Sequence, residues 1–169
     1  QVNAASYSPD ENTIISASSD KTVKIWELNS TKNSNTSCIK TIKGHHGGVN
    51  YASFDKEGRK IVSASKDHSI RVWNINSGKC IDSLSNNAGS VLCSTFWSNG
   101  QYVLASSAWG NVILWDLKKD TCYSFNHTNR LCTASFSPND RFFVTASVDD
   151  SIRVWDTERR KQINVWKGH

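Results

Sequence analysis

Short runs of alternating apolar and polar residues fill this chain, and they come in groups of four. The third run of each group, at 22–26, 69–73, 111–115 and 151–155, has the clearest alternation, as in Val23/Ile25 and Ile152/Val154, and ends on a tryptophan. Five residues of alternation predict a strand, because successive side chains leave a strand on opposite faces. The first runs, 2–7, 49–54, 91–96 and 131–136, agree almost column by column. Each opens on an apolar residue, places Ser or Thr fifth and an aromatic sixth. That mix of small and bulky side chains predicts an inner strand packed on both faces. Tight turns follow at 8–10, 55–58, 98–100 and 137–140, where Pro9, Pro138, Gly58 and Gly100 supply hairpin chemistry. Second strands are expected at 13–18, 60–65, 101–106 and 141–147. Fourth strands, the most polar and outermost, are expected at 38–42, 80–84, 122–125 and 162–166, with their Cys, Ile, Leu and Trp side chains packed inward.

The groups repeat with a nearly regular period. Trp26, Trp73, Trp115 and Trp155 stand 47, 42 and 40 residues apart, and a period near 40 to 45 residues with a Trp-Asp ending and a Gly-His beginning is that of one four-stranded propeller blade. The fold class expected is all-β, with blades at about 1–43, 44–85, 86–126 and 127–169. Between Trp26 and Cys38 the connection is longer than in the second group and polar, read as an insertion tolerated at a blade edge rather than a binding loop.

Several columns together identify a resemblance. Gly44-His45 and Gly168-His169, the turn aspartates Asp20, Asp67 and Asp149, and the pairs Trp26-Glu27, Trp73-Asn74, Trp115-Asp116 and Trp155-Asp156 make the whole chain similar to the WD40-repeat family. The resemblance implies a buried hydrogen-bond chain in each blade, from a Trp indole to a Ser or Thr hydroxyl, a His ring and the turn Asp. Its members would be His45, Ser63, Asp67 and Trp73 in the second blade and His127, Thr145, Asp149 and Trp155 in the fourth. The first blade offers Ser16, Asp20 and Trp26. The third departs from the pattern, with Asn87 in place of the His and Trp109 in place of the Asp, and is expected to hold its third strand by packing alone. His, Ser and Asp also compose a hydrolase triad. A set that recurs blade after blade, with a Trp donor to satisfy and no path for substrate, reads instead as structure.

Composition narrows the function classes. A 37 % hydrophobic and 10 % aromatic content is too rich for disorder, and no apolar run is long enough to span a membrane. The net charge of +5 is spread through turns, with Arg159, Arg160 and Lys161 the one run of three, read as a solvated loop. Five cysteines without a C-x-x-C pair predict buried free thiols of an intracellular, cytoplasmic or nuclear protein. No catalytic residue, metal site or cofactor is expected.

The resemblance further implies two loop-bearing faces around a channel. Candidate partner contacts lie on the face carrying the fourth-to-first and second-to-third strand connections: Trp109, Lys66 and Arg130 first, then Ser19, Val148 and Ser90. Trp109 is expected either to fold over its own blade or to stand exposed for a partner; Trp97, on the opposite face, either caps its hairpin or forms a second contact. The expected function is a protein-interaction scaffold in a multiprotein assembly, alternatively a recognition or sensor module of a larger enzyme or signalling protein. RNA binding is disfavoured by the lack of a basic stripe. Protein or peptide partners are expected, and further blades from the same chain.

Overall fold

The computed structural model of the protein describes residues 1–28, 37–85 and 89–168. Every regular element among them is a strand. The strands are β1 (Val2–Tyr7), β2 (Thr13–Ser18), β3 (Val23–Glu27), β4 (Cys38–Ile42), β5 (Val49–Phe54), β6 (Lys60–Ser65), β7 (Ser69–Asn74), β8 (Cys80–Ser85), β9 (Val91–Phe96), β10 (Tyr102–Ser107), β11 (Asn111–Asp116), β12 (Thr121–Asn126), β13 (Leu131–Phe136), β14 (Phe142–Ser147), β15 (Ser151–Asp156) and β16 (Lys161–Lys167). Consecutive sets of four form four antiparallel sheets, each in simple sequence order. The 29–36 stretch of the polar insertion, Asn87 and His169, each given a role by the sequence, lie outside the described residues.

Local chemistry makes such short hairpins possible. Each second-to-third strand turn needs one left-handed residue, supplied by Lys21, His68, Gly110 and Asp150. Gly110 has the strictest requirement: a Cβ there would lie 2.7 Å from the Asn129 carbonyl and 2.8 Å from that of His127. Only glycine lets the turn close on the next loop.

The core lies between sheets rather than within one. Ile15, Ala17, Val23 and Ile25 of the first sheet pack against Val49, Ala52, Ile61 and Trp73 of the second. Val62, Ala64, Ile70 and Val72 of the second meet Val91, Val103, Ala105, Ile113 and Trp115 of the third. Leu104, Val112, Leu114 and Phe125 of the third meet Leu131, Ala134, Phe143 and Trp155 of the fourth. Each such aliphatic side chain contributes about 1.5–3 kcal/mol on burial, so a sheet depends on its neighbours. Polar ties cross the same seams. Asn3 donates to the Val49 carbonyl and Asn50 to that of Val91, both at 2.7 Å. Lys40 donates to the carbonyls of Ile75 and Asn76, and the Ser98 hydroxyl donates to Asp140.

Several expectations need correction. The first strands of the second and third sheets are covered on both sides, but β1 and β13 are half open: Val2 and Tyr7 are exposed, and Cys132 faces solvent because nothing among the described residues stacks on that side of the fourth sheet. Val144 occupies the column of Val62, which is sealed against the next sheet, and is itself exposed. The thiols are mostly not buried. Cys93 alone is enclosed, between the third and fourth sheets, whereas Cys38, Cys80 and Cys122 sit on outer strands with their side chains on the solvent face. The outer strands turn only some apolar residues inward. Ile42 and Phe125 are buried, but Ile39, Ile81, Ile163 and Trp166 point out, since an outermost strand has a neighbour on one side only. Trp97 packs on Tyr102 of its own hairpin, ring centroids 4.7 Å apart, and on Phe136 of the next sheet at 5.8 Å. Arg159 and Arg160 are exposed turn residues, and Arg160 lays its guanidinium over the Tyr123 ring.

Candidate partner-binding face

Four backbone hydrogen bonds build this face. The amides of Ser19, Lys66, Ala108 and Val148, at the tips of the second-to-third strand turns, donate to the carbonyls of Gln1, Gly48, Ser90 and Arg130 at 2.8–2.9 Å. Each turn is thereby clamped onto the residue that opens its sheet, so turns and loops share one surface. A serine beneath reinforces the clamps of the first, second and fourth sheets: Ser18 donates to the carbonyl of Gln1, Ser65 to those of Gly47 and Gly48, and Ser147 to those of Asn129 and Arg130. The same hydroxyls accept the amides of Asp20, Asp67 and Asp149 in turn.

Below the surface runs a polar chain. In the second sheet the Trp73 indole donates to Ser63 Oγ at 2.8 Å, Ser63 Oγ lies 2.7 Å from His45 Nε2, and His45 Nδ1 lies 2.9 Å from Asp67 Oδ2. The fourth repeats it: Trp155 to Thr145 at 2.9 Å, Thr145 to His127 Nε2 at 2.7 Å, His127 Nδ1 to Asp149 at 3.3 Å. With the carboxylate on Nδ1, the proton sits there, and Nε2 accepts from the hydroxyl. Burial pushes both histidines below the ordinary imidazole pKa, against the opposing pull of their aspartates. Desolvation would raise Asp67 and Asp149, but hydrogen bonds from Ser69 or Ser151, from the histidine and from the loop hold both well below the usual carboxylate range. Ser69 and Ser151, which contact both His and Asp, escaped the sequence reading, although a serine column two residues after each aspartate could have signalled them.

The other two sheets differ. Trp26 donates to Ser16 at 2.8 Å, while the exposed Asp20 takes the hydroxyl and amide of Thr22. In the third sheet Ala105 stands at the register of Ser63. Packing alone does not hold its tryptophan: the Trp115 indole turns to Asp120 Oδ1, 3.2 Å away, a partner in the third-to-fourth strand turn.

The surface residues divide by availability. Ser19 and Ser90 are half-buried and accept the side-chain amides of Asn3 and Asn50. Lys66, Arg130 and Val148 are exposed. Trp109 is 67 % exposed, the most of any large apolar side chain among the described residues. It is folded over its own sheet and at the same time exposed. Its ring rests on Gly89 of its own sheet, where a Cβ would come within 2.8 Å of Cγ and Cδ2, and its edge approaches His68 of the second sheet, centroids 6.2 Å apart. Its outer face is open. Gly89 lies among the loop positions that the sequence places on this face, whereas His68 was not singled out, since only the fold brings it to Trp109.

Comparison with known proteins agrees with this architecture. The family described as "WD domain, G-beta repeat" matches residues 1–27, 36–74, 78–116 and 120–156. Among curated relatives, pre-mRNA-processing factor 19 of Oryza sativa subsp. japonica is 26 % identical over 98 % of this chain and 32 % of its own length. Pre-mRNA-processing factor 19 homolog 2 of Arabidopsis thaliana is 27 % identical over 94 % and 30 %. Periodic tryptophan protein 2 of Arabidopsis thaliana is 26 % identical over 92 % and 17 %. The chain thus spans about a third or less of the length of these relatives.

Proposed function

The chain belongs to the WD40-repeat family, and from that premise we propose that it is a non-catalytic protein-interaction scaffold working within a multiprotein assembly. The observation that carries this reading is the face built by the clamped turns. Asp67 and Asp149 and the hydroxyls of Ser63 and Thr145 are spent on the polar chains, and what the face presents outward includes an open tryptophan with exposed cations on the neighbouring turn and loop. An aromatic with flanking cations is the composition of an interface hot spot. The triad reading has no support in the geometry: Ser63 and Thr145 are wholly buried, each receiving a tryptophan N–H and facing a histidine. The open faces of the first and fourth sheets are, on this reading, covered by further blades of the same chain.

The names of the rice and Arabidopsis relatives favour an assembly that processes pre-mRNA, hence a nuclear rather than a cytoplasmic setting. The length of those relatives leaves room for a second reading, a recognition module attached to another activity. Affinity purification of the tagged full-length protein, with and without Trp109→Ala, tests the proposal. Specific co-purifying proteins, some lost in the variant, are expected; an unaltered or empty set would refute it. Imaging of the same tagged protein decides the compartment.

A further inference from the structure

Resting on the scaffold reading of this face, we propose that Trp109, Lys66, His68 and Arg130 form a docking site for an acidic peptide segment that carries an apolar residue or proline among its carboxylates.

Trp109 occupies the column in which the other three sheets place Asp20, Asp67 and Asp149. There a carboxylate meets partners within its own sheet, whereas the indole ring lies flat on the Gly89 backbone and shows its second face to solvent. A rigid ring supported from below is pre-organised to receive an apolar side chain or proline at little entropic cost. Two segments flank it. The turn bearing Lys66 and His68 approaches from the second sheet, His68 within 6.2 Å. On the other side Gly110 is packed against the carbonyls of His127 and Asn129, so the loop that bears Arg130 adjoins the Trp109 turn.

Charge selects the partner. Lys66 and Arg130 are exposed and have no ion pair among the described residues. The carboxylates of the flanking segments are already committed: Asp67 to His45 and Ser69, Asp149 to His127, Thr128, Ser151 and Arg153. Of the exposed acids on this face, Asp20 lies in the first sheet's turn, and Asp150, in the turn clamped to Arg130, makes no ion pair with it. A bare Trp face also attracts cations, but the two positive charges without ion pairs on the flanking segments repel a basic peptide.

The test uses the full-length protein and a fluorescein-labelled peptide with a central Pro-Leu pair flanked by Asp and Glu residues. The same peptide with Lys at the acidic positions and an oligouridine of similar length serve as comparisons. Anisotropy is expected to give micromolar binding of the acidic peptide that weakens with added salt, and no measurable binding of the basic one. Trp109→Ala and Lys66→Glu should each weaken it by about tenfold or more. Both positions are exposed, so circular dichroism and melting should be unchanged and a folding defect is separable. The proposal is overturned by no acidic-peptide binding, by equal binding of the basic peptide, by tighter binding of oligouridine, or by unchanged affinity in Trp109→Ala. If the peptide fails while Trp109→Ala still loses partners in the affinity purification, the scaffold reading stands and the acidic chemistry falls.

Discussion

Replacing Ser63 with alanine isolates the polar chain of the second sheet. Ser63 Oγ is wholly buried, receives the Trp73 indole N–H at 2.8 Å and lies 2.7 Å from His45 Nε2. Its removal strands one buried donor and one buried acceptor. Each uncompensated group costs about 1–3 kcal/mol, less what is recovered by no longer desolvating the hydroxyl, so a net loss of about 2–4 kcal/mol is expected. The third sheet escapes this cost with Ala105 at the same register because Trp115 turns to Asp120. Gly78 occupies the corresponding turn position in the second sheet, so Trp73 has no such alternative. Urea unfolding followed by tryptophan fluorescence reads the loss, together with a drop in Tm of about 6–12 °C for a loss near 3 kcal/mol at this chain length. Ser106→Ala is the matched control, since Ser106 is equally buried but its hydroxyl has no hydrogen-bond partner among the described residues. It should cost within about 1 kcal/mol of nothing, or stabilise. Ser63→Thr should be tolerated, as Thr145 fills the role in the fourth sheet. Equal losses in Ser63→Ala and Ser106→Ala would refute the reasoning, because volume rather than hydrogen bonding would then govern the site.

Stability should fall in acid. Burial lowers the folded pKa of His45 and His127, so below about 6.5 the unfolded chain takes up protons first and each histidine withdraws up to about 1.4 kcal/mol per pH unit. Asp67 and Asp149, also lowered, continue the loss below the ordinary carboxylate range. Urea midpoints at pH 7.5 and 5.5 check the sign, and a higher midpoint at pH 5.5 would contradict it. Brief maleimide labelling under native conditions should modify Cys38, Cys80 and Cys122, on the outer strands, and spare Cys93, read by peptide mass spectrometry. Gly110→Ala should cost well over the ~1 kcal/mol expected for a left-handed alanine, because its Cβ also strikes two carbonyls. Gly100→Ala, equally left-handed but with nothing within 4 Å, should cost only about that first amount; equal unfolding midpoints would dismiss the steric term.

What the sequence determined by itself is whatever repeats. Strand positions and turn chemistry recur at a period of about 40 to 47 residues, and the Trp, Ser or Thr, His and Asp columns recur in most copies, so each copy corroborates the others and the all-β architecture is legible before any coordinates. The site was legible in residue types: Trp109 is conspicuous as the place where a column breaks. The tertiary structure decided everything that depends on the neighbouring sheet. Cys93 is enclosed and Cys132 is not because one has a sheet stacked on it and the other has none among the described residues. Trp115 finds Asp120 across a turn, and Trp109 finds Gly89 and His68, by contacts no single-strand pattern encodes. Periodicity reports which way a side chain leaves its own strand. What it meets there is set by packing between sheets, and in this protein that is where the core lies.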